Sequence, residues 1–424
     1  MSKKIYYLEF LLDVSAGIIA PFIILYALHL GFSNLFIGSF NAILNISYIL
    51  TFFISLFLVN PKIIKTVFSV ALLLWGLSIA ILYYAKSEII FIFAIFLRAI
   101  SSALISVCYT WLISKVFTTN RYEKVSNLAI IYASATLITT VISGFLISIF
   151  SYFLLIFYIP LILSIFSIFV LQKIRVEDNI ESKKIKDVKE IFRKLKDIFK
   201  DEKLKRYSLF IFFFYFAVGI AGPFFSVFLK KVLEKSEFEW SLIVATEMLV
   251  FLLFSSVIKR LNRKFDIISL FQLATFFISL VPLIWVTTKS FEIILLLSFV
   301  SGIAWNLFSI LHTTYVTKNF GMTEKISFIN IFIGLGSIFG NFVGGIISQI
   351  NLEYAFYISF VFRLFASFLV IILIGKTMIN FVHIGKTIFL SLDFFTYIFK
   401  EFILEAKKIK LLALYNRKKD IHKS

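Results

Sequence analysis

The pattern of apolar and polar residues divides the chain into two long apolar blocks separated by one charged stretch. Residues 1–172 and 207–375 consist mostly of Phe, Ile, Leu, Val, Ser and Ala. Residues 173–206, between them, carry 13 Lys/Arg and 8 Asp/Glu in 34 residues. The blocks are nearly equal in length, at 172 and 169 residues. The pattern predicts two matched membrane blocks joined by a polar linker.

Each block contains six apolar runs that are long enough to cross a membrane. A helix of about 20 apolar residues spans a ~30 Å hydrocarbon core, because each residue adds ~1.5 Å. The runs lack the alternation of period two that marks a membrane β-barrel. We therefore predict an all-α integral membrane fold with twelve transmembrane helices. The predicted spans are 8–30, 35–59, 63–85, 89–115, 127–150, 152–172, 207–229, 239–258, 266–287, 291–317, 327–350 and 353–375.

The last segment, residues 376–424, is not predicted to span the membrane. Lys386, Asp393 and Lys400 interrupt its apolar residues, and its end is basic. We predict an amphipathic helix in the cytoplasmic interface followed by a basic tail. The apolar residues of one helical face follow at spacings of four and three: Ile388, Leu392, Phe395, Phe399 and Phe402.

Composition supports a membrane protein and gives no sign of an enzyme. Hydrophobic residues make up 60% of the chain and charged residues 16%, against about 45–50% and about 25% in soluble domains. The single cysteine, Cys108, excludes an intrachain disulfide and a cysteine-based metal cluster. The sequence has no nucleotide-binding glycine loop, hydrolase serine motif or metallopeptidase motif. We expect no catalysis, no cofactor and no bound metal.

The positions of the basic residues predict the orientation in the membrane. If the N-terminus is cytoplasmic, 36 of the 43 Lys/Arg lie on the cytoplasmic side and 5 on the opposite side. Loops rich in Lys and Arg stay in the cytoplasm. Both termini and the linker are thus predicted to be cytoplasmic, in the cell membrane. Because topology accounts for the net charge of +19, we expect no nucleic-acid partner.

The two blocks are internal repeats of one another. Residues 17–22 read GIIAPF and residues 219–224 read GIAGPF, at an offset of 202. Residues 123–126 read EKVS and residues 324–327 read EKIS, at an offset of 201, which also pairs Gly144 with Gly345. Repeats of six helices each keep the same orientation, so they are parallel repeats about an axis along the membrane normal.

These features resemble the major facilitator superfamily. Residues 255–264, SSVIKRLNRK, match the basic positions of the loop signature of this family at Arg260, Arg263 and Lys264. Arg98 matches an arginine that is common in its fourth helix. The resemblance implies two pseudo-symmetric six-helix bundles, a central cavity lined by helices 1, 4, 7 and 10, and a cytoplasmic gate at the signature loop.

Glycine and proline positions suggest where helices pack closely and bend. Gly336, Gly340 and Gly344 recur every four residues on one helical face, which favours close helix packing in lipid. Pro21 and Pro223 occupy matching places in the first and seventh spans, and each is expected to bend its helix. Such a bent pair suits alternating access, although a proline can also be tolerated without a function.

Charged residues inside the spans are the candidates for function, because each costs ~2.5–3.5 kcal/mol or more at the bilayer centre. We expect Arg98 to line the cavity with Asp13 as its partner, either as a functional pair or as a static packing pair. Glu9 is expected in the cytoplasmic interface. The substrate-pathway or coupling candidates are Asp13, Arg98, Ser102, Tyr109, Glu247, Trp305, Ser309 and Arg363.

The function that these observations favour is secondary active transport. We expect a monomer in the lipid bilayer that moves a small solute by alternating access, with protons as a candidate coupling ion. A non-transporting sensor or scaffold of the same family is the alternative. Arg98 would suit an anionic or polar solute, and the aromatic-rich spans would suit amphipathic compounds, so the substrate is left open.

The first prediction concerns topology. Single cysteines are introduced at Lys86 and Lys184 in a variant that lacks Cys108, and intact cells are treated with a membrane-impermeant thiol reagent. Because the two positions lie on opposite sides of the predicted membrane, only the cysteine at position 86 should be labelled from outside. Labelling of both cysteines from one side would contradict the predicted topology.

Overall fold

The structure, a computed structural model, describes residues 2–57, 61–117, 121–150, 153–174, 200–264, 267–320 and 323–370. The regular secondary structure of the described residues is helical throughout. The predicted all-α fold is therefore confirmed. The predicted amphipathic tail and residues 175–199 of the predicted linker lie outside the described residues.

The first block contains helices α1 to α6. Helix α1 consists of Ser2–Ile19, a 3-10 turn at Ala20–Phe22, and Ile23–His29. The helices that follow are α2 (Asn34–Phe57), α3 (Pro61–Tyr84), α4 (Glu88–Val116), α5 (Arg121–Phe150) and α6 (Phe153–Gln172).

The second block contains helices α7 to α12. Helix α7 consists of Glu202–Ala221 and Phe224–Lys231, separated by Gly222 and Pro223. The helices that follow are α8 (Glu237–Lys264), α9 (Ile267–Thr288), α10 (Phe291–Asn319), α11 (Thr323–Ile350) and α12 (Leu352–Leu369).

Ten of these helices are long and apolar enough to cross a membrane. Helix α6 contributes an apolar segment of its own, Ile156–Gln172. Helix α8 carries Glu237 and Glu239 in its first turn and Glu247 further along. Helices of the structure therefore coincide with the predicted membrane spans. Several of these helices extend a few residues beyond the ends of the predicted spans.

The start of α7 shows why a helix extends beyond its apolar run. Helix α7 was expected from residue 207 but begins at Glu202, because the Asp201 side chain accepts a hydrogen bond from the Leu204 N–H at 3.1 Å. Burial raises the pKa of Asp201, but hydrogen bonds from Lys325 and the Leu204 N–H outweigh it and hold the pKa below its usual value. An ionised N-cap stabilises a helix start.

Side chains identify two ends of the helix assembly. Lys4 Nζ donates to the Lys173 carbonyl at 2.8 Å, and Lys65 Nζ donates to the Ile174 carbonyl. These contacts join the starts of α1 and α3 to the end of α6, at what we call the proximal end. At the distal end, the Tyr26 hydroxyl donates to the Tyr83 carbonyl at 2.7 Å.

The blocks share one apolar core at the distal end and have separate cores at the proximal end. One core combines residues of both blocks around the distal ends of α1 and α7, including Phe22, Phe228 and Trp285. The proximal half of each block has a core of its own, around Leu112 in the first and Phe271 in the second. Two helix pairs, α2 with α11 and α5 with α8, join the blocks.

Helix α11 packs on α7 through a glycine stripe. A Cβ atom at Gly340 would lie 2.2 Å from the Phe216 carbonyl oxygen, and one at Gly344 would lie 2.1 Å from the Ile220 carbonyl oxygen. Gly336 meets the Phe212 carbonyl oxygen in the same way. The two backbones are therefore in direct contact, and no larger residue fits between them without moving a helix.

The second prediction tests this contact. Alanine favours a helix over glycine by about 1 kcal/mol, so Gly340→Ala would stabilise an open helix surface. Here the added methyl group collides with the α7 backbone, and we expect a loss of about 1–3 kcal/mol. Thermal unfolding of the purified protein measures the effect. Phe339→Leu, at a neighbouring residue that is 52% exposed, is the control. A melting temperature at or above that of the unaltered protein in Gly340→Ala would contradict this packing.

Candidate functional site

Helix α1 bends at Pro21, and a neighbouring helix stabilises the bend. Proline has no N–H, so the carbonyl four residues earlier, that of Gly17, loses its helical partner. The Thr140 hydroxyl on α5 donates to this carbonyl at 3.0 Å. Trp240 Nε1 on α8 donates to the Pro21 carbonyl at 2.8 Å. The bend in the first block is thus tied to α5 and, across the boundary between the blocks, to α8.

Arg363 stabilises α9 at Pro282 in the second block in a similar way. Its side chain is 2% exposed, and Nη1 donates to the Ile278 carbonyl at 3.2 Å. This carbonyl lies four residues before Pro282 and so lacks its helical partner. Nη2 donates to the Val218 carbonyl at 3.3 Å. Arg363 thus joins α7, α9 and α12, and its place on a substrate pathway stays a prediction.

Arg98 and Asp13 do not form the expected pair. Arg98 is 4% exposed, and its guanidinium carbon lies 4.6 Å from the centre of the Trp75 ring. Trp75 Nε1 donates to the Ser15 hydroxyl at 3.2 Å. Among the described residues no salt bridge joins Arg98 to Asp13, because a cation–π contact holds the guanidinium against α3.

Asp13 belongs instead to an acidic cluster with Glu9. The two residues are four apart on one face of α1 and interact electrostatically. Asp13 is 8% exposed, and its Oδ2 atom is buried without a hydrogen-bond partner. Glu9 was expected in the membrane interface, but its place beside Asp13 and Tyr109 makes it part of the candidate site.

Tyrosine side chains surround this acidic cluster. The Tyr109 hydroxyl on α4 is buried, has no hydrogen-bond partner of good geometry, and lies within electrostatic range of both carboxyl groups. Tyr132 on α5 lies within range of Glu9, Asp13 and Tyr48. Of these tyrosines, the sequence analysis gave only Tyr109 as a site candidate.

The tyrosines connect the cluster to the space between the blocks. Tyr48 on α2 and Tyr132 are each 41% exposed. Tyr48 also lies within electrostatic range of Tyr215 on α7, in the second block. Since the blocks have separate apolar cores at the proximal end, we infer that these side chains border a cleft at that end. The acidic cluster therefore lies at one wall of this cleft.

The second block contributes one buried acid. The Ser301 hydroxyl on α10 donates to Glu247 on α8 at 3.2 Å, and Glu247 does not contact Arg363 among the described residues. Trp305 is half-buried between Phe214 and Phe308. The structure thus places Glu247 and Trp305 on neighbouring helices and brings neither of them to Arg98.

The remaining sequence candidates lie apart from the acidic cluster or bond their own helix. The Ser102 hydroxyl donates to the Arg98 carbonyl of the same helix at 2.8 Å. Ser309 is exposed on α10. The basic residues of the signature, Arg260, Arg263 and Lys264, lie in the last turns of α8 at the proximal end. Their role in a gate stays a prediction.

Small residues close the distal end. A Cβ atom at Gly38 would lie 2.7 Å from the Gly345 Cα, and one at Gly144 would lie 2.5 Å from the Ser241 Cβ. Gly144 and Gly345 are the residues that the repeat pairs, and each meets a helix of the other block. Two equivalent backbone contacts, α2 with α11 and α5 with α8, thus seal the blocks together at this end.

Hydrogen bonds add to this distal seal. Asn34 Nδ2 donates to the Ser348 carbonyl at 2.9 Å, and the Leu35 N–H donates to Gln349 Oε1 at 3.3 Å. Lys231 Nζ donates to Asn34 Oδ1 at 3.3 Å. Asn34 therefore contacts both α7 and α11 of the second block, and the seal has polar as well as backbone contacts.

A helical membrane protein with two repeated blocks that share an apolar core at one end is the class that this geometry defines. The family profile of the Major Facilitator Superfamily matches residues 5–325. The chain belongs to this superfamily, which confirms the resemblance seen in the sequence and indicates a multi-pass membrane transporter rather than an enzyme.

Solved structures show the same fold. Two crystal structures of the nucleoside transporter NupG are similar to this chain, one of them a variant with a single substitution. The variant has a TM-score of 0.71 and 13% identity, covering 88% of this chain and 99% of NupG. The other has a TM-score of 0.66 and 14% identity, covering 89% and 99%. Comparison with curated protein sequences returned no significant match.

The third prediction tests the role of Arg363 with a double-mutant cycle. Arg363→Met should destabilise the protein by about 1–3 kcal/mol, because the Ile278 carbonyl is left without a partner. Pro282→Ala restores an N–H that can donate to that carbonyl. The cost of Arg363→Met should therefore be smaller in the Pro282→Ala background, by about 0.5–1.5 kcal/mol. Thermal unfolding of the four proteins measures this difference, and equal costs in both backgrounds would reject the role.

Proposed function

We propose that this protein is a secondary active transporter that moves a small solute across the cell membrane by alternating access. In this proposal twelve transmembrane helices form two pseudo-symmetric six-helix bundles, residues 1–172 and 207–375. A cytoplasmic linker, 173–206, joins them, and a cytoplasmic tail, 376–424, follows. The observation that carries the proposal is that the two repeated blocks share an apolar core at the distal end and have separate cores at the proximal end.

The distribution of charge supports an orientation with the proximal end in the cytoplasm. In this orientation the segments predicted to be cytoplasmic hold 36 of the 43 Lys/Arg residues, and the distal loops hold 5. Both termini are then cytoplasmic. The proximal end, with the acidic cluster, would face the cytoplasm, as in an inward-open state of the transport cycle.

The distal seal suits a reversible gate. Its central contacts join Gly38 to Gly345 and Gly144 to Ser241, beside the apolar core that the two blocks share. Separation of the bundles would break the hydrogen bonds of Asn34 and Trp240 and open part of this core. The bent helices α1 and α7 run from the proximal end to the distal end, and so connect the seal to the cleft.

Carboxyl groups in the cleft provide a means of coupling to protons. An ionised carboxylate inside the membrane is costly without a partner, and protonation removes that cost. Asp13 and Glu9 interact with one another, so the gain or loss of one proton by this pair changes its charge near the cleft. Glu247, bound by Ser301, is the second candidate for this role.

The fourth prediction tests coupling at Asp13 and positioning by Arg98. Purified protein is reconstituted into proteoliposomes, and uptake of labelled solutes is measured with and without a pH gradient. Asp13→Asn should reduce gradient-driven uptake about tenfold or more while exchange at equal pH remains measurable, because the variant cannot release a proton. Arg98→Lys keeps the charge but loses the planar group that stacks on Trp75, and should lower transport more than thermal stability.

Glu202→Gln is the matched control, because it removes an exposed carboxylate near the linker. Its transport should equal that of the unaltered protein. Unchanged uptake and unchanged response to pH in both Asp13→Asn and Arg98→Lys would reject the roles proposed for these residues. A complete absence of exchange for every solute in the unaltered protein would favour a non-transporting sensor or scaffold.

A further inference from the structure

We propose that the acidic cluster is the binding site of an organic cation that carries an aromatic or apolar body. The site consists of Glu9 and Asp13 on α1, with Tyr109, Tyr132 and Tyr48 around them. This inference deepens the proposed function, on which it rests, by assigning a class of substrate to the cleft.

The first argument is the balance of charge at the site. Glu9 and Asp13 place two carboxyl groups within electrostatic range on one helical face. Among the described residues, Arg98 is stacked on Trp75, and Arg363 is bound to backbone carbonyls of the second block. Lys4 and Lys65 are bound to carbonyls at the end of α6. None of these cations pairs with the two carboxylates, so a positive ligand would complete the site.

The second argument is the presence of buried polar atoms without partners. Asp13 is 8% exposed, and its Oδ2 accepts no hydrogen bond. The Tyr109 hydroxyl is also buried and has no hydrogen-bond partner of good geometry, and it lies beside Glu9 with Asp13 also within electrostatic range. Buried polar atoms are nearly always satisfied. An ammonium group can donate N–H hydrogen bonds to both of these oxygen atoms.

The third argument is the aromatic lining. Tyr132 lies within electrostatic range of both carboxyl groups, and Tyr48 lies within range of Tyr132. Each of these two side chains is 41% exposed and therefore available to a ligand. Tyrosine rings attract cations through their faces and provide apolar area. An alkylammonium or arylammonium ion would use both properties, whereas a small inorganic cation would use only the charge.

The same features disfavour other classes of solute. An anion would be repelled by either acid when it is ionised, and the only described cation deep in the first block, Arg98, is stacked on the Trp75 ring with its Nη1 atom left without a hydrogen-bond partner. A neutral solute such as a nucleoside would require the acids to be protonated before the cleft closes, because ionised carboxylates would stay uncompensated. The fold shared with a nucleoside transporter therefore does not predict the substrate here.

Binding of three solutes with the same ring but different charge tests the inference. The full-length protein in lipid nanodiscs is titrated with 2-phenylethylammonium, a cation that carries N–H donors, with 2-phenylethanol, which is neutral, and with 3-phenylpropionate, an anion. Isothermal titration calorimetry measures the dissociation constants. The cation should bind about tenfold tighter, or more, than either of the others, the difference expected for one lost charge interaction.

Variants then locate the site. Glu9→Gln combined with Asp13→Asn should weaken cation binding about tenfold or more, and Tyr132→Leu should weaken it about threefold to tenfold. Glu202→Gln, which neutralises an exposed acid, should bind as the unaltered protein does. The single substitution Tyr109→Phe removes one hydroxyl and should weaken binding less than the double acid variant. It gives a readout even if the double variant does not fold.

Two results would overturn the inference. One is equal or tighter binding of the neutral or anionic solute by the unaltered protein. The other is cation binding that the acid and tyrosine variants leave unchanged. Solute exchange in proteoliposomes separates this inference from the proposed function: transport that favours neutral or anionic solutes rejects the cation site alone. Cation binding at these residues without any exchange supports the site and rejects transport.

Discussion

The structure depends on one constraint, which is that backbone carbonyl groups inside a bilayer have no water to bind. A proline inside a helix leaves one such carbonyl without its helical N–H partner. Here Thr140 binds the carbonyl that Pro21 frees, and Arg363 binds the one that Pro282 frees. Each bend is therefore fixed to a particular neighbouring helix, and a bent helix moves together with that neighbour. The result is two blocks that are firmly tied internally.

The contacts between the blocks are of a different kind. Small residues such as Gly38 and Gly345 bring backbones together at the distal end, beside an apolar core that both blocks share. At the proximal end the blocks have separate apolar cores. Carboxyl groups cannot face lipid at acceptable cost, and Asp13 is buried within the helix assembly. The fold thus keeps its costly charges away from lipid, with Arg98 and Arg363 buried as well.

Much of the fold could be predicted from the sequence, because continuous apolar runs, the repeat and the glycine stripe depend on local pattern alone. The interruptions of α1 and α7 could also be predicted, from Pro21 and Pro223. The pairing of side chains was not, since Arg98 had equal reason to meet Asp13 or an aromatic ring, and only the packing of α3 places Trp75 beneath it. Tyr132 carried no signal, because a tyrosine in an aromatic-rich span is indistinguishable from lipid-facing neighbours until the helices are assembled.

The most direct test of the account is the distance between the blocks at each end, measured by double electron–electron resonance on spin-labelled protein in nanodiscs. One label pair joins Lys86 to Tyr354 at the distal end, and a second joins Lys173 to Lys318 at the proximal end. Alternating access predicts that solutes and pH shift the two distances in opposite directions, with the distal pair separating as the proximal pair closes. Distances that stay fixed under all conditions, or that lengthen together, would contradict it.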